Sequence, residues 1–537
     1  MEQTYSTDAS DLQNMRKYHN QAAIEEDEDA EQDTAANVID ESYILPDVVR
    51  DFILYFNEHV VNREVGVIQN IYENSWQKLS DRFFSDCTWP PVDTISQLVN
   101  GNEVFLYLYK ELYYRHIYAK LNPTLEQRFE SFENYCDLFN YILNPEGPVD
   151  LEMPTPWLWD IIDEFIYQFQ AYCQFKSVHK GRSMQDVEHI NNNPHIWDVQ
   201  SVLKILYSVV EQSKINDQLI AFKNGSDPAL VSGIYGGHQL YRQLGYFSLI
   251  GLCRVHCILG DYYTSLKVLE HVELNKKGIM GVPACQTTTY YYVAFAYMMM
   301  RRNKDTIRVL SSILTYIHRT KQFNAHSYQY EDIQKKNEQM YAMLAIAVSL
   351  SPTRLDDNLD QQLREKFGDK MQRIQRGEDA LEGFKELFMF CSPKFVTPVG
   401  PPADGTVQDY ALAAQAKQMK LFLADVGQQV DVPTIRSYLK LYTTMPISKL
   451  ATFIQTDEET FRTYLFLYKH KLSSVSWSEG SPLTGERTSG SDVDFYLDAD
   501  MIHIADTKIE RRFGQYYLRQ VDKLAAIQRS MQRKLWN

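Results

Sequence analysis

The sequence predicts a mainly α protein in three parts: a stack of repeated helical hairpins, a unit of three short helices with a strand pair, and a long terminal helix. Three observations carry this expectation. Leu244–Glu273 (LGYFSLIGLCRVHCILGDYYTSLKVLEHVE) and Thr287–Leu314 (TTTYYYVAFAYMMMRRNKDTIRVLSSIL) read as degenerate copies of one unit. Alternation of apolar and polar residues at strand spacing is confined to a short stretch around Phe495–Ile504. Near the C-terminus Phe513, Tyr517, Val521, Leu524, Gln528, Met531 and Leu535 step by 4, 4, 3, 4, 3 and 4, the seam of a coiled-coil or bundle helix.

Residues 1–40 carry an acid run and no aromatic cluster, so a disordered acidic tail is expected there. Order is expected from Leu45-Pro46, because Val48, Val49, Phe52, Ile53 and Phe56 form a helical stripe. Similar stripes run through Val104–Tyr109 and Phe129–Phe139. Pro145, Pro148, Pro154 and Pro156 interrupt them, a helix resumes near Trp157, and Trp197–Ile220 reads as one further helix. In the repeats, Gly260-Asp261 breaks the first copy and Arg301–Asn303 the second. Leu266, Val268 and Leu269 then overlay Ile307, Val309 and Leu310 at an offset of 41 residues. Hairpins repeated this way bury their apolar faces on one another and build a TPR-like superhelix, a scaffold more than a chemical pocket. Tyr341–Leu350 extends the stack, Pro393–Gly405 reads as a linker, and Ala411–Gln428 as a helix.

From residue 433 the pattern shortens. Ile435, Tyr438, Leu439 and Tyr442 mark one helix, and Pro446 opens a second with Ile447, Leu450, Ala451 and Ile454 inward. Thr456 and Glu459 read as the capping box of a third, whose stripe is Phe461, Leu465, Tyr468 and Leu472. Ser478–Ser491 reads as a loop, and Phe495, Leu497, Ile502 and Ile504 as a hairpin. Three helices and a hairpin make a winged helix. The expected parts are thus 1–40, 45–220, 221–430, the winged helix 431–507 and a basic helix 508–537.

Charge bounds the partners. Of the net −16, residues 1–45 hold −10 and residues 508–537 hold +6, leaving −12 on 46–507. A body this acidic is a poor non-specific nucleic-acid binder, though the basic terminus offers a surface for RNA. The N-terminus is polar and acidic, and the longest apolar run, Tyr290–Met300, is too short to span a bilayer. Seven scattered cysteines fit free thiols in a reducing compartment, so a cytosolic or nuclear protein with no membrane contact is expected.

Helical repeats running into a winged helix resemble the PCI-domain family, shared by the proteasome lid, the COP9 signalosome and eukaryotic translation initiation factor 3. The runs DFILYFNEHVVNREV, LGYFSLIG, LGDYY, YYYVAFAYMMMRR, ILTYIHRTK and QVDVPTIRSYLKLYTTMPISKLA are similar to the subunit L family of that initiation factor. The similarity spans roughly 45–535, with local departures such as Asn303 and Thr306. The resemblance implies a PCI domain at about 305–513 and a non-catalytic subunit of a large cytoplasmic complex. Implied partners are other PCI and MPN subunits, and the small ribosomal subunit through the complex, in mRNA and initiator-tRNA recruitment. Rival readings are a PCI scaffold of a lid-like or signalosome-like complex, and a direct RNA binder. Partner-interface candidates are Phe495, Leu497, Ile502 and Ile504 on the wing, and Phe513, Tyr517, Val521, Leu524, Met531 and Leu535 on the terminal helix.

No chemistry is expected, and no metal or cofactor. Cys253, His256 and Cys257 lack a fourth ligand at metal spacing and read as core. Gly233, Gly236 and Gly237 precede a helix without the Lys-Ser/Thr of a phosphate loop; Gly485 and Gly490 also lack a lysine. His503 near Asp500 and Asp506 has no nucleophile beside it. The third winged-helix helix opens on Asp457, Glu458 and Glu459, acids that suit the helix dipole and repel phosphate. A protein-binding winged helix is therefore expected.

Overall fold

The computed structural model describes residues 45–535 apart from 145, 179–183, 274–280, 325–327, 378, 399–409, 478–479 and 490–492. The expectation of a disordered acidic tail at 1–40 lies outside the described residues. From Val48 onward the described residues pack as one unit.

The N-terminal helices are α1 (Asp47–Asn62), α2 (Val65–Asn70), α3 (Trp76–Phe83), α4 (Val92–Leu98), α5 (Glu103–Lys120), α6 (Leu125–Ile142) and α7 (Thr155–Ser177). A π turn, Ile71–Ser75, joins α2 to α3. Aromatic rings fill this region: Trp76 stacks on Trp89 at 3.9 Å and Tyr72 on Trp157 at 5.0 Å. Glu111, fully buried, accepts from Trp157 Nε1 and Arg115 Nε, both at 3.0 Å, so the charge it brings inside is paired. Pro154 and Pro156 open α7, where a missing N–H costs nothing.

The expected single helix at 197–220 is divided. Lys214, at φ 47°, separates α9 (Val199–Ser213) from α10 (Ile215–Lys223), with α8 (Met184–Asn192) before them. The boundary drawn at 220 falls inside α10. After the single turn α11 (Gly233–Gly236), the repeats appear as α12 (Gln239–Leu259) with α13 (Tyr262–Val268), and α14 (Pro283–Met299) with α15 (Asn303–Asn324). Gly260 (φ 88°) and Arg301 (φ 63°) make the two turns with left-handed backbone, at the 41-residue offset of the repeat. Asp261 caps α13 by accepting from the Thr264 N–H at 3.0 Å. The stack continues through α16 (Tyr330–Leu350), α17 (Asp357–Arg376), α18 (Ala380–Cys391) and α19 (Tyr410–Gly427). Part of the expected linker is fastened: Phe395 and Val396 are buried, and the Val396 N–H donates to the Ile258 carbonyl at 3.2 Å.

The last third holds α20 (Val432–Leu439), β1 (Thr444–Pro446), α21 (Ile447–Ile454), α22 (Glu458–Leu472), β2 (Ser473–Ser476), β3 (Glu486–Ser489), β4 (Val493–Asp498), β5 (Met501–Asp506) and α23 (Thr507–Leu535). Strands β1, β5 and β4 form one antiparallel sheet in that order, while β2 and β3 pair separately. The stretch expected as a loop, 478–491, therefore includes strand β3. Its Ser, Thr, Glu and Arg composition carries no apolar alternation, so strand periodicity could not reveal it. The fold is mainly helical, a stack of hairpins followed by a winged-helix module.

Candidate protein-interaction site

The winged helix is built around one apolar cluster. Ile435 and Leu439 of α20, Ile447 and Leu450 of α21, and Phe461, Leu465 and Tyr468 of α22 close on Phe495 and Ile502. Phe495 is 5% exposed and Ile502 0%, with Leu497 and Ile504 half-buried against the same cluster. These four candidates thus serve the module's own core. The opposite alternation faces out: Tyr496 is 62% exposed and stacks on His503 at 4.7 Å between ring centroids. Strand β5, with Ile502 and Ile504, is central, which leaves β4 and the three-residue β1 as the sheet's edges.

Helix α22 starts one residue later than its sequence suggests. Asp457 is the cap, its Oδ2 accepting from the Thr460 N–H at 3.0 Å, while Thr456 Oγ1 is buried without a partner. The hydrogen bond that the Thr460 hydroxyl donates to Asp457 Oδ1 at 2.6 Å, together with that from the Thr460 N–H, holds the Asp457 carboxyl below the usual carboxylate range. Either Thr or Asp can cap, and the sequence alone could not choose. Glu458 and Glu459 follow at the helix's positive end. The cations at its other end are engaged inside the chain. Lys469 Nζ donates to the Phe495 carbonyl at 2.6 Å and pairs with Asp494 at 3.1 Å. Lys471 Nζ pairs with Asp425 of α19 at 2.5 Å. A duplex reader would need such groups free to meet phosphate.

On α23, Tyr517, Val521, Leu524 and Met531 are 60 to 65% exposed along one stripe. The side chains of Phe513 and Leu535 lie outside the described residues. An apolar stripe this exposed on a long helix is the surface a partner helix would cover.

The other clusters resolve into packing. Cys253 and Cys257 are buried; Cys253 Sγ lies 3.2 Å from Ser265 Oγ, and His256 Nε2 meets Tyr207 Oη at 3.0 Å. Burial pushes the Cys253 thiol up to about 12, the opposite of a reactive thiolate. A Cβ on Gly236 would lie 2.3 Å from the Ser213 carbonyl oxygen, so that glycine serves a close backbone approach. Asp500 pairs with Arg462. Among the described residues no three His, Cys, Asp or Glu side chains are grouped to hold a metal, and no helix is long and apolar enough to cross a membrane.

Sequence reasoning missed the charged run Arg301–Arg308. It reads as the punctuation between two helices, yet Arg301 pairs with Asp425 at 2.9 Å and its neighbours reach the β2–β3 ribbon. The only hint was the density of charge in a repeat that is otherwise apolar.

The model of the family described as RNA polymerase I-associated factor PAF67 matches residues 127–524. The chain is 53% identical to eukaryotic translation initiation factor 3 subunit L of Nematostella vectensis, over 91% of this chain and 94% of that protein. It is 50% identical to the human protein of that name, over 91% of each, and 50% identical to that of Danio rerio, over 91% and 89%. With half of its residues shared along nine-tenths of its length, and with the repeat stack and winged helix described above, the chain belongs to the family of eukaryotic translation initiation factor 3 subunit L.

Proposed function

We propose that the chain is a non-catalytic scaffold subunit of translation initiation factor 3 in the cytoplasm. In this reading it joins other PCI and MPN subunits through the winged helix and α23, and reaches the small ribosomal subunit through the complex. It thereby supports mRNA and initiator-tRNA recruitment. Family membership supports the assembly, and the exposed stripe on α23 is the observation that carries the scaffold role. Tyr517, Val521, Leu524 and Met531 would leave water together when a partner helix covers them. The acids that open α22, and the internal pairing of Lys469 and Lys471, support a protein partner for the winged helix over a duplex.

The test is the double variant Val521→Asp, Leu524→Asp. Both residues are exposed in the isolated chain, so its melting temperature should stay within about 1 °C of the unmodified protein. Recovery of initiation factor 3 subunits with the tagged chain should fall by about tenfold or more, because charge enters an interface meant to be dry. Full recovery of those subunits would refute the reading. Loss of RNA with all subunits retained would favour direct RNA contact by the basic terminal helix.

A further inference from the structure

We propose that the β2–β3 ribbon, with Trp477 and Pro482, Leu483 and Thr484 between its strands, forms a strap that ties the winged helix to the repeat stack, with Arg302 and Asp305 as its fastening. Both residues lie at the start of α15 and are 5% and 1% exposed. Arg302 Nε donates to Asp305 Oδ2 at 2.8 Å. Its Nη1 donates to the carbonyls of Pro482 and Leu483 at 2.9 and 3.1 Å, and Nη2 to that of Thr484 at 3.1 Å. Asp305 holds the strap at Trp477. Its two oxygens accept from the Trp477 N–H at 3.0 and 3.1 Å. Around this centre Tyr297 Oη donates to the Pro482 carbonyl at 2.8 Å, and Arg308 Nη1 to the Trp477 carbonyl at 3.0 Å. The Arg308 guanidinium sits 4.3 Å from the Trp477 ring centroid. Lys304 Nζ reaches Thr488 Oγ1 at 2.9 Å and the Ser489 carbonyl at 3.1 Å.

The ribbon runs on directly from α22, and its strand β2 packs on both that helix and α15. It shares no strand with the sheet of the winged helix, and all its side chains are half-buried or exposed. A lone two-stranded hairpin is marginal in water, so its order depends on what it rests on. That support is mostly charge taken out of water. Removing Asp305 leaves Arg302 buried with only carbonyls to receive its charge, and removing Arg302 leaves the buried Asp305 with only the exposed Arg308, 3.2 Å away, as its ion-pair partner, each a heavier loss than that of an ordinary surface contact. Apolar docking loosens by degrees; this fastening is held or lost at a few atoms.

The neighbouring residue extends the tie to the winged helix itself. Arg301 pairs with Asp425, which also holds Lys471 at the end of α22. Through Asp425 of α19, the turn that holds the strap is thus linked to the last winged-helix helix as well. It sets how the module's edges and α23 are aimed, although none of Arg301, Arg302 or Asp305 belongs to those surfaces. The consequence for assembly rests on the scaffold reading above; the strap itself does not.

The experiment is hydrogen exchange, read by mass spectrometry, on the full chain carrying Arg302→Met or Asp305→Asn. Amides of 473–477 and 484–489 should exchange about tenfold or more faster, while 461–468 of α22 keep their protection. Unchanged ribbon protection overturns the proposal. If Arg302→Met loses protection everywhere, Lys304→Ala decides: faster exchange confined to the ribbon supports the strap, and none refutes it. Subunit recovery separates the two readings. Asp305→Asn should lower it although α23 is intact, whereas Val521→Asp, Leu524→Asp should lower it with the ribbon still protected. Full recovery with the α23 variant sinks the scaffold reading and leaves the strap standing.

Discussion

Asp160 on α7 accepts from Tyr72 Oη at 2.5 Å, Tyr328 Oη at 2.6 Å and Gln329 Nε2 at 3.1 Å, so one carboxylate gathers the N-terminal helices and the approach to α16. Burial pushes its pKa up to about 6, against the opposing pull of Arg115 and the two tyrosine hydroxyls. A carboxylate raised on folding binds its proton more tightly in the folded chain than in the unfolded one. Its contribution is complete below the ordinary Asp value and is lost as pH rises through about 6. The stability advantage of the unmodified chain over Asp160→Asn should therefore shrink by about 2–3 kcal/mol between pH 4 and 6 and then level off. Urea midpoints of the two proteins across that range check it; a difference independent of pH would be the wrong outcome. Glu164, one turn on, is pushed to about 7 chiefly by burial and should be left in place as a common background. None of this was legible in the sequence. Asp160 looks like any acid in an aromatic helix until Tyr328, far along the chain, is folded against it.

At the scale of elements, helix positions were readable wherever a helix has one apolar face and a strong stop. The turns at Gly260 and Arg301 fall where the repeat offset places them. The split at Lys214 was not readable, because a lysine in left-handed conformation carries no signature of its own. What places it is the crossing of α12 with the end of α9. A Cβ on Gly245 would come within 2.1 Å of Ser213 Oγ, 2.8 Å of Ser213 Cβ and 3.2 Å of Ile215 Cβ. Gly245→Ala would improve helix propensity by roughly 1 kcal/mol in an isolated helix. Here overpacking should win, destabilising by about 1–3 kcal/mol. A melting temperature lowered by a few degrees is expected, and one that rises would show that the crossing yields.

For the whole molecule, charge is the property that reaches furthest. Residues 46–507 carry −12, and the cations near the end of α22 are engaged by Asp494, Asp425 and the Phe495 carbonyl. The full chain should bind duplex DNA only weakly at physiological salt, with Kd above about 10 μM and no preference among sequences. Fluorescence anisotropy measures this, and a sequence-selective sub-micromolar Kd would reject the protein-binding reading of the winged helix. Any residual affinity should come from 508–537, which holds eight basic residues against two acids, and should fall steeply with added salt.

The sequence by itself determined the mainly helical class, the 41-residue repeat and the winged-helix composition. Each is a local pattern of burial written in residue spacing. It also determined the family, because long similar runs survive independently of contacts. Only the tertiary structure decided which face of the wing hairpin turns inward, that Asp457 and not Thr456 caps α22, and that Arg301–Asp305 is a joint and not a mere turn. Those outcomes depend on groups more than a hundred residues apart, such as Arg302 and Thr484, or on a choice between two equally capable neighbours. Spacing along the chain records which residues want to leave water. It does not record which distant partner receives their hydrogen bonds and charges.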